Sequence, residues 1–162
     1  MERINITNEI YLIKYEGQNN NNLIDYNEFI YQTKKTVYKK YVEYYWGEWD
    51  ENAQRNMFND FMNSVKNNIW IIKYKNENIG FYNGENIDDK NYEIGNICII
   101  SDYQGKGVGT KILKKVLELH NKQNIHLQYF KNNPVGELYI KLGFVFYKEK
   151  EFHYVMIKNN LE

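Results

Sequence analysis

Three glycines fall close together in Ser101-Asp102-Tyr103-Gln104-Gly105-Lys106-Gly107-Val108-Gly109-Thr110, between an apolar β-branched run and a helical stripe. Glycine lets a main chain turn sharply and approach a ligand, and the N–H groups that open a helix carry partial positive charge. Together they form a cradle for an anion such as a pyrophosphate, with Lys106 able to add a cation at its rim. A strand-to-helix turn that binds nothing is the alternative at this point.

Two other phosphate loops fail on these residues. A P-loop needs Ser or Thr after its lysine to reach magnesium, but Gly107 follows Lys106 and no glycine opens the motif upstream. A dinucleotide fingerprint needs a third glycine where Thr110 or Ile112 stands.

The turn must be positioned by the elements around it. Ile10 to Tyr15 reads as a strand, followed by a loop through Gly17 and Asn19-Asn20-Asn21-Asn22. Phe29, Thr33, Val37, Tyr41 and Tyr45 recur at four-residue intervals and predict a helix that breaks at Gly47. Asp50 opens a second helix whose apolar side is Met57, Phe58, Phe61, Met62 and Val65. Strands at Ile69 to Tyr74 and Ile79 to Tyr82 flank a polar hairpin connection, and a longer strand, Tyr92 to Ile100, carries Gly95 as a candidate bulge. After the glycine turn, Val108, Ile112, Leu113, Val116 and Leu117 form a clean helical stripe. A strand at Ile125 to Phe130, a short helix through Val135, Leu138, Tyr139 and Leu142, and strands at Phe144 to Tyr147 and Phe152 to Ile157 complete the chain. The order β-α-α-β-β-β-α-β-α-β-β describes an α/β fold, a mixed sheet with helices on both faces, in a single domain over residues 1–162.

Composition agrees with one such domain. The 162 residues are 43% hydrophobic and 17% aromatic, enough for one substantial core. Lys and Arg together number 21, as do Asp and Glu, so no net field draws the chain to nucleic acid or an acidic membrane. The expectation is a small-molecule or peptide partner, no nucleic acid, no membrane, and a monomer or homodimer. The apolar run Ile10-Tyr11-Leu12-Ile13 is too short for a secretion signal, so a cytosolic setting is expected. The lone Cys98, within Ile97-Cys98-Ile99-Ile100, reads as a small buried hydrophobe, because no partner for nucleophilic activation is evident.

Gln104-Gly105-Lys106-Gly107-Val108-Gly109 resembles the Gln/Arg-x-x-Gly-x-Gly/Ala pyrophosphate loop of the GNAT (GCN5-related N-acetyltransferase) family, in the same strand-loop-helix context. Asn132-Asn133-Pro134-Val135-Gly136-Glu137-Leu138-Tyr139-Ile140-Lys141-Leu142-Gly143-Phe144 is similar to that family's Asn-x-x-Ala-x-x-x-Tyr-x-x-x-Gly-Phe block. Val135 replaces the usual alanine and Gly136 a common aliphatic, so packing at that helix start departs from the family's. The resemblance is specific from about Tyr92 to Phe146.

The resemblance implies an acetyl-CoA-dependent N-acetyltransferase with no metal. Ile97, Cys98 and Ile99 would offer backbone groups to the pantetheine arm, Asn132 would touch that arm, and Gly105 to Thr110 would hold the pyrophosphate. Gln104, Lys106 and Val108 belong to the same loop, which works through main-chain N–H groups, so the Lys106 and Val108 side chains are free to vary. Tyr139 matches the tyrosine beside the CoA sulfur, a general acid for the departing thiolate. Its spacing alone also suits a packing residue.

Glu93, eleven residues before Gln104, stands at the spacing of the general-base glutamate of histone-type members. It reads equally as a solvent-facing strand carboxylate, with deprotonation left to water and backbone carbonyls. For the acceptor, Tyr41, Tyr44, Tyr45, Trp46, Glu48, Trp49, Asp50 and Glu51 combine aromatic faces and carboxylates suited to a cationic amine. The alternative is that the aromatics pack while the acids cap the second helix. His153 faces the same cleft or is structural. A catalytically weak acyl-CoA-binding module is the competing reading of the whole chain.

Overall fold

The computed structural model describes residues 2–17 and 24–161, so the asparagine run expected to form a loop lies outside the described residues. The elements are β1 (Arg3–Asn5), β2 (Ile10–Lys14), α1 (Tyr26–Trp46), α2 (Glu51–Val65), β3 (Ile69–Tyr74), β4 (Glu77–Asn86) and β5 (Asn91–Ile99). A 3₁₀ turn at Ser101–Tyr103 leads to α3 (Val108–Leu119), β6 (Asn124–Phe130), α4 (Gly136–Lys141), β7 (Val145–Glu149) and β8 (His153–Lys158). Every element read from the sequence is present, and β1 is an addition. Arg3-Ile4-Asn5 has no apolar run to announce it and pairs with Tyr11 to Ile13 through its backbone.

The helix boundaries follow from capping. Asp25 accepts from Glu28 N–H at 3.0 Å to start α1, and Gly47, at φ 86°, ends it by donating its N–H to the Glu43 carbonyl. Asp50 accepts from Ala53 N–H at 3.0 Å and starts α2. On α1 the buried side chains are Ile30, Tyr31, Thr33 and Tyr41, a face rotated slightly from the expected one. Thr33 is tolerated there because its hydroxyl donates to the Phe29 carbonyl. On α2 Phe58 is buried, whereas Met57 is exposed, contrary to the pattern reading.

The strands order as β1-β2-β3-β4-β5-β6-β8-β7 in one sheet. β5 and β6 run parallel, while β2 with β3, β3 with β4, β6 with β8 and β7 with β8 run antiparallel.

The chain forms two compact units. One comprises Met1–Asn83 with Asn96–Gly109, and its core gathers Tyr15, Ile30, Tyr31, Phe58, Ile69, Ile71, Phe81 and Cys98. The other comprises Gly84–Gly95 with Thr110–Glu162, and buries Tyr92, Ile112, Leu113, Val116, Ile125, Leu127, Phe144 and Met156. Its outermost strand, β7, is exposed along its whole length and bulges between Phe146 and Lys148.

Candidate active site

The glycine turn belongs to the first unit. The 3₁₀ turn after β5 closes through Tyr103 N–H on the Ile100 carbonyl at 3.0 Å. The β3–β4 hairpin braces it, with the Tyr103 hydroxyl donating to Glu77 Oε2 at 2.7 Å and the Tyr103 ring 5.4 Å from that of Tyr74. Gln104 Nε2 donates to the Ile99 carbonyl at 2.8 Å and ties the turn to the end of β5. Its side chain therefore positions the loop.

Gly105 and Gly107 adopt φ of 73° and 79°, where a residue with a Cβ costs about 1–2 kcal/mol. Gly109 differs. It sits in the first turn of α3 outside that φ range, and a Cβ there would meet only an Ile97 methyl at 4.0 Å. Among the described residues nothing requires a glycine at 109, so its bareness leaves open space above the helix start. No acidic residue in the first turn of α3 competes for an anion, and Gln104 through Gly107 are exposed. This cradle fits a pyrophosphate.

Upstream, Cys98 is fully buried, and burial pushes its thiol up to about 11, partly opposed by Lys34 and Tyr38. Such a thiol is a packing group, as its sequence context suggests. Gly80 on β4 faces the Cys98 carbonyl so closely that a Cβ there would collide with it.

The second unit holds the asparagine and tyrosine of the downstream block. Asn132 is exposed in the turn after β6, while its neighbour Asn133 accepts from Val135 N–H at 3.0 Å and shapes the entry to α4. The half-buried Tyr139 ring lies 5.6 Å from Tyr129 and 5.8 Å from Phe144. Gly136 explains the departure noted in the block: a Cβ there would run into the Tyr129 ring. Burial raises the Tyr129 phenol above its ordinary range.

The acetyltransferase (GNAT) family model matches residues 34–144. The chain belongs to this family. Its fold is shared by a protein of Pyrococcus horikoshii OT3, PH1933, at TM-score 0.69 and 22% identity over 93% of this chain and 98% of that one. The PaiA N-acetyltransferase of Thermoplasma acidophilum, solved in complex with coenzyme A, gives TM-score 0.65 and 17% identity over 92% and 98%. A Staphylococcus aureus Mu50 acetyltransferase of the GNAT family gives 0.66 and 17% over 94% and 99%. No curated protein matches by sequence. As a GNAT member the protein is an acyltransferase of the N-acetyltransferase type.

In this GNAT domain β5 and β6 pair at Asn91↔Asn124, Tyr92↔Ile125 and Glu93↔His126, and both strands run on past that last rung. Glu93 is exposed and shares its face with His126. Tyr129, three residues along β6, points to the opposite face, and Tyr139 packs on it there. The two side chains read as base and acid thus lie on opposite faces of the strands that connect them.

The acceptor-side aromatics divide. Glu51 receives Lys35 Nζ at 3.0 Å, Trp49 Nε1 at 2.8 Å, Tyr31 hydroxyl at 2.9 Å and Arg55 Nε at 3.2 Å, and Lys35 foremost, then Trp49 and Tyr31, hold its carboxyl at about 2. With Asp50 spent on the α2 cap and Tyr41 buried, these residues build the α1–α2 pair. Tyr44 and Trp46 instead remain exposed, flanking Tyr45 in ring contacts of 4.9 and 5.6 Å. His153 stacks on Phe130 at 4.3 Å, and burial first, then Lys150, lowers its pKa.

Sequence reasoning did not single out His126. Its significance comes from the parallel register opposite Glu93, and the residues separating the two strands carry no mark of that register. Among the described residues no group of three or more His, Cys, Asp and Glu could hold a metal, and no helix is long and apolar enough to cross a membrane.

Proposed function

We propose that residues 1–162 form one catalytic domain that moves an acetyl group from acetyl-CoA directly to a primary amine of a small molecule or peptide. The observation that carries this reading is Gly109: a bare position at a helix start that the fold itself does not need, behind two glycines held at positive φ. The main-chain N–H groups of Gly105 to Thr110 take the pyrophosphate. Ile97, Cys98 and Ile99 offer backbone to the pantetheine, and Asn132 touches that arm. Acetyl-CoA, when bound, supplies an activated thioester carbonyl.

Tyr139 donates a proton to sulfur as the C–S bond breaks, since its neutral phenol O–H can hydrogen-bond the developing thiolate and then pass it the proton. Glu93 serves the deprotonation of the amine. Solved relatives support the substrates: PaiA was captured with coenzyme A, and Arabidopsis thaliana Naa50 with the bisubstrate analogue CoA-Ac-MVNAL. The cytosolic setting expected from the sequence belongs to the same reading.

The test is incubation with acetyl-CoA and a panel of monoamines, polyamines and short peptides, reading free thiol. Amine-dependent thiol release is expected. Tight acetyl-CoA binding with no release for any amine would leave an acyl-CoA-binding module in its place.

A further inference from the structure

His126 lies in a chain of side chains that fixes which of its nitrogens carries the proton. Asp88 starts the chain. Its carboxylate accepts Lys90 N–H at 2.7 Å, and both its oxygens accept from Asn91 Nδ2, at 3.0 and 3.1 Å. A carboxylate on that side forces the amide nitrogen toward Asp88 and the amide oxygen away from it. That oxygen, Asn91 Oδ1, lies 2.9 Å from His126 Nε2. An oxygen can only accept, so Nε2 carries the hydrogen and Nδ1 of the neutral ring presents its lone pair.

The sequence of anion, orienting group and imidazole is the arrangement that turns a histidine into a directed base. Its location suits that use, because the ladder ends at this rung and no paired backbone past it separates this face from the one on which Tyr139 packs. Glu93 and His126 are the last rung of the parallel ladder and project from the same face, on strands about 4.8 Å apart. From β7 the Tyr147 ring meets the imidazole edge-on at 6.0 Å, with Lys148 above that tyrosine. From β8 the residues on this face are the apolar Ile157 and Val155. The ionisable groups on this face near His126 are thus Glu93, Tyr147, Lys148 and Lys150, the last bonded to Gln128 two residues along β6, with Asp88 acting through Asn91.

We propose that His126 Nδ1 is the immediate proton acceptor for the attacking amine, that Asn91 and Asp88 are the positioning residues that fix its tautomer, and that the Glu93 carboxylate offsets the charge the ring takes up. This rests on the acetyl-transfer reading above and names the base within it. An ammonium acceptor gives one proton to Nδ1, leaving imidazolium and a free nitrogen lone pair. That lone pair forms the C–N bond as the C–S bond breaks. The second proton lost from nitrogen passes through water to the Tyr139 phenolate, restoring the phenol that protonated the thiolate, and the imidazolium returns its proton to water. The products are acetamide, CoA thiol and one released proton.

Histidine ordinarily exchanges its proton near neutrality, which suits a base working at neutral pH. Replacing it by Gln should lower kcat by at least about a hundredfold and remove the acidic limb of kcat/KM against pH. Acetyl-CoA affinity by calorimetry should be retained. Glu93→Gln should leave the limb in place but displace it to more acidic pH, because the imidazolium loses its counter-charge. Long-range ¹⁵N–¹H spectra of the parent should show the Nε2–H tautomer without any substrate, and Asn91→Leu should convert it to a mixture.

Several results would overturn the proposal. One is a His126→Gln or His126→Asn enzyme with the parent's pH profile. Another is an Nδ1–H tautomer in the parent. A parent that binds acetyl-CoA but acetylates no amine removes the enzymatic reading and this role with it, whereas a limb that survives loss of His126 in an active enzyme removes this role alone.

Discussion

Between Gln104 and Gly109 the molecule presents main chain, whereas at Glu93, His126 and Tyr139 it presents side chains. The Gln104 side chain donates to the Ile99 carbonyl and ties the loop to its own strand. Across the β5–β6 ladder the reverse holds: regular backbone pairing at Asn91 to Glu93 serves to set imidazole, amide and carboxylate beside one another. Binding built from main chain tolerates most substitutions except those that add a Cβ. Chemistry built from side chains tolerates none at its reacting atoms, however conservative in shape. The two regions should therefore fail differently under mutation.

The largest effect is expected on the side-chain half. Tyr139→Phe removes one oxygen and leaves the ring contacts with Tyr129 and Phe144, so kcat should fall about ten- to a thousandfold with little change in the acetyl-CoA KM. Steady-state kinetics at several pH values checks this. A variant as fast as the parent throughout would make Tyr139 a packing residue and shift the acid to water.

The main-chain half makes a paired prediction of intermediate size. Gly107→Val should cost both affinity and about 1–2 kcal/mol of stability, since it places a β-branched residue at φ 79°. Gly109→Ala should separate the two. With no steric conflict inside the protein and better helix propensity, it should melt no lower than the parent, yet bind acetyl-CoA on the order of tenfold more weakly. Calorimetry alongside thermal melting reads both, and unchanged affinity in both variants would remove the pyrophosphate-loop assignment.

The smallest effect comes from a region that neither half uses and serves as a control. Arg55 grips Glu28 with two nitrogens, at 2.6 and 3.0 Å, and this pairing, aided by Gln32, holds the Glu28 carboxyl at about 2 against an ordinary 4.5. A depressed carboxyl stabilises the fold above its ordinary range, and that contribution fades as pH falls toward the folded value. Both side chains are about two-fifths exposed, so solvent screening limits the contribution to under about 1 kcal/mol. Melting parent and Glu28→Gln from neutral pH downward should show a small gap that closes in acid, with acetyl transfer unaffected at neutral pH.

The same contrast explains what could be read in advance. The turn was legible because left-handed φ is closed to most L-residues, so Gly105 and Gly107 write their own geometry into the sequence. The end of α1 and the start of α2 were legible for a similar reason, as Gly47 and Asp50 act on neighbours three or four residues away, whereas the Asp25 cap of α1 was not singled out. The Asp88–Asn91–His126 chain was not, because His126 reaches Asn91 only through the parallel register of β5 and β6, with the whole of α3 between them. Nor could residue type show that Glu51 is occupied by Lys35, Trp49, Tyr31 and Arg55, which leaves Tyr44 and Trp46 as the exposed part of the aromatic cluster. Met57 failed because helical spacing marks a stripe without marking where its edge meets solvent.

Gly136 and Tyr129 carry a consequence for how this sequence can drift. The ring of Tyr129 fills the space that any Cβ at 136 would claim, so the two positions behave as one volume shared between a strand and a helix. A side chain at 136 and the Tyr129 ring in its present place exclude one another, so even a methyl at 136 must push the end of that ring aside. Shifting that ring in turn disturbs the contact that Tyr139 makes with it. The packing around Tyr139 thus depends on a glycine one turn earlier in the same helix.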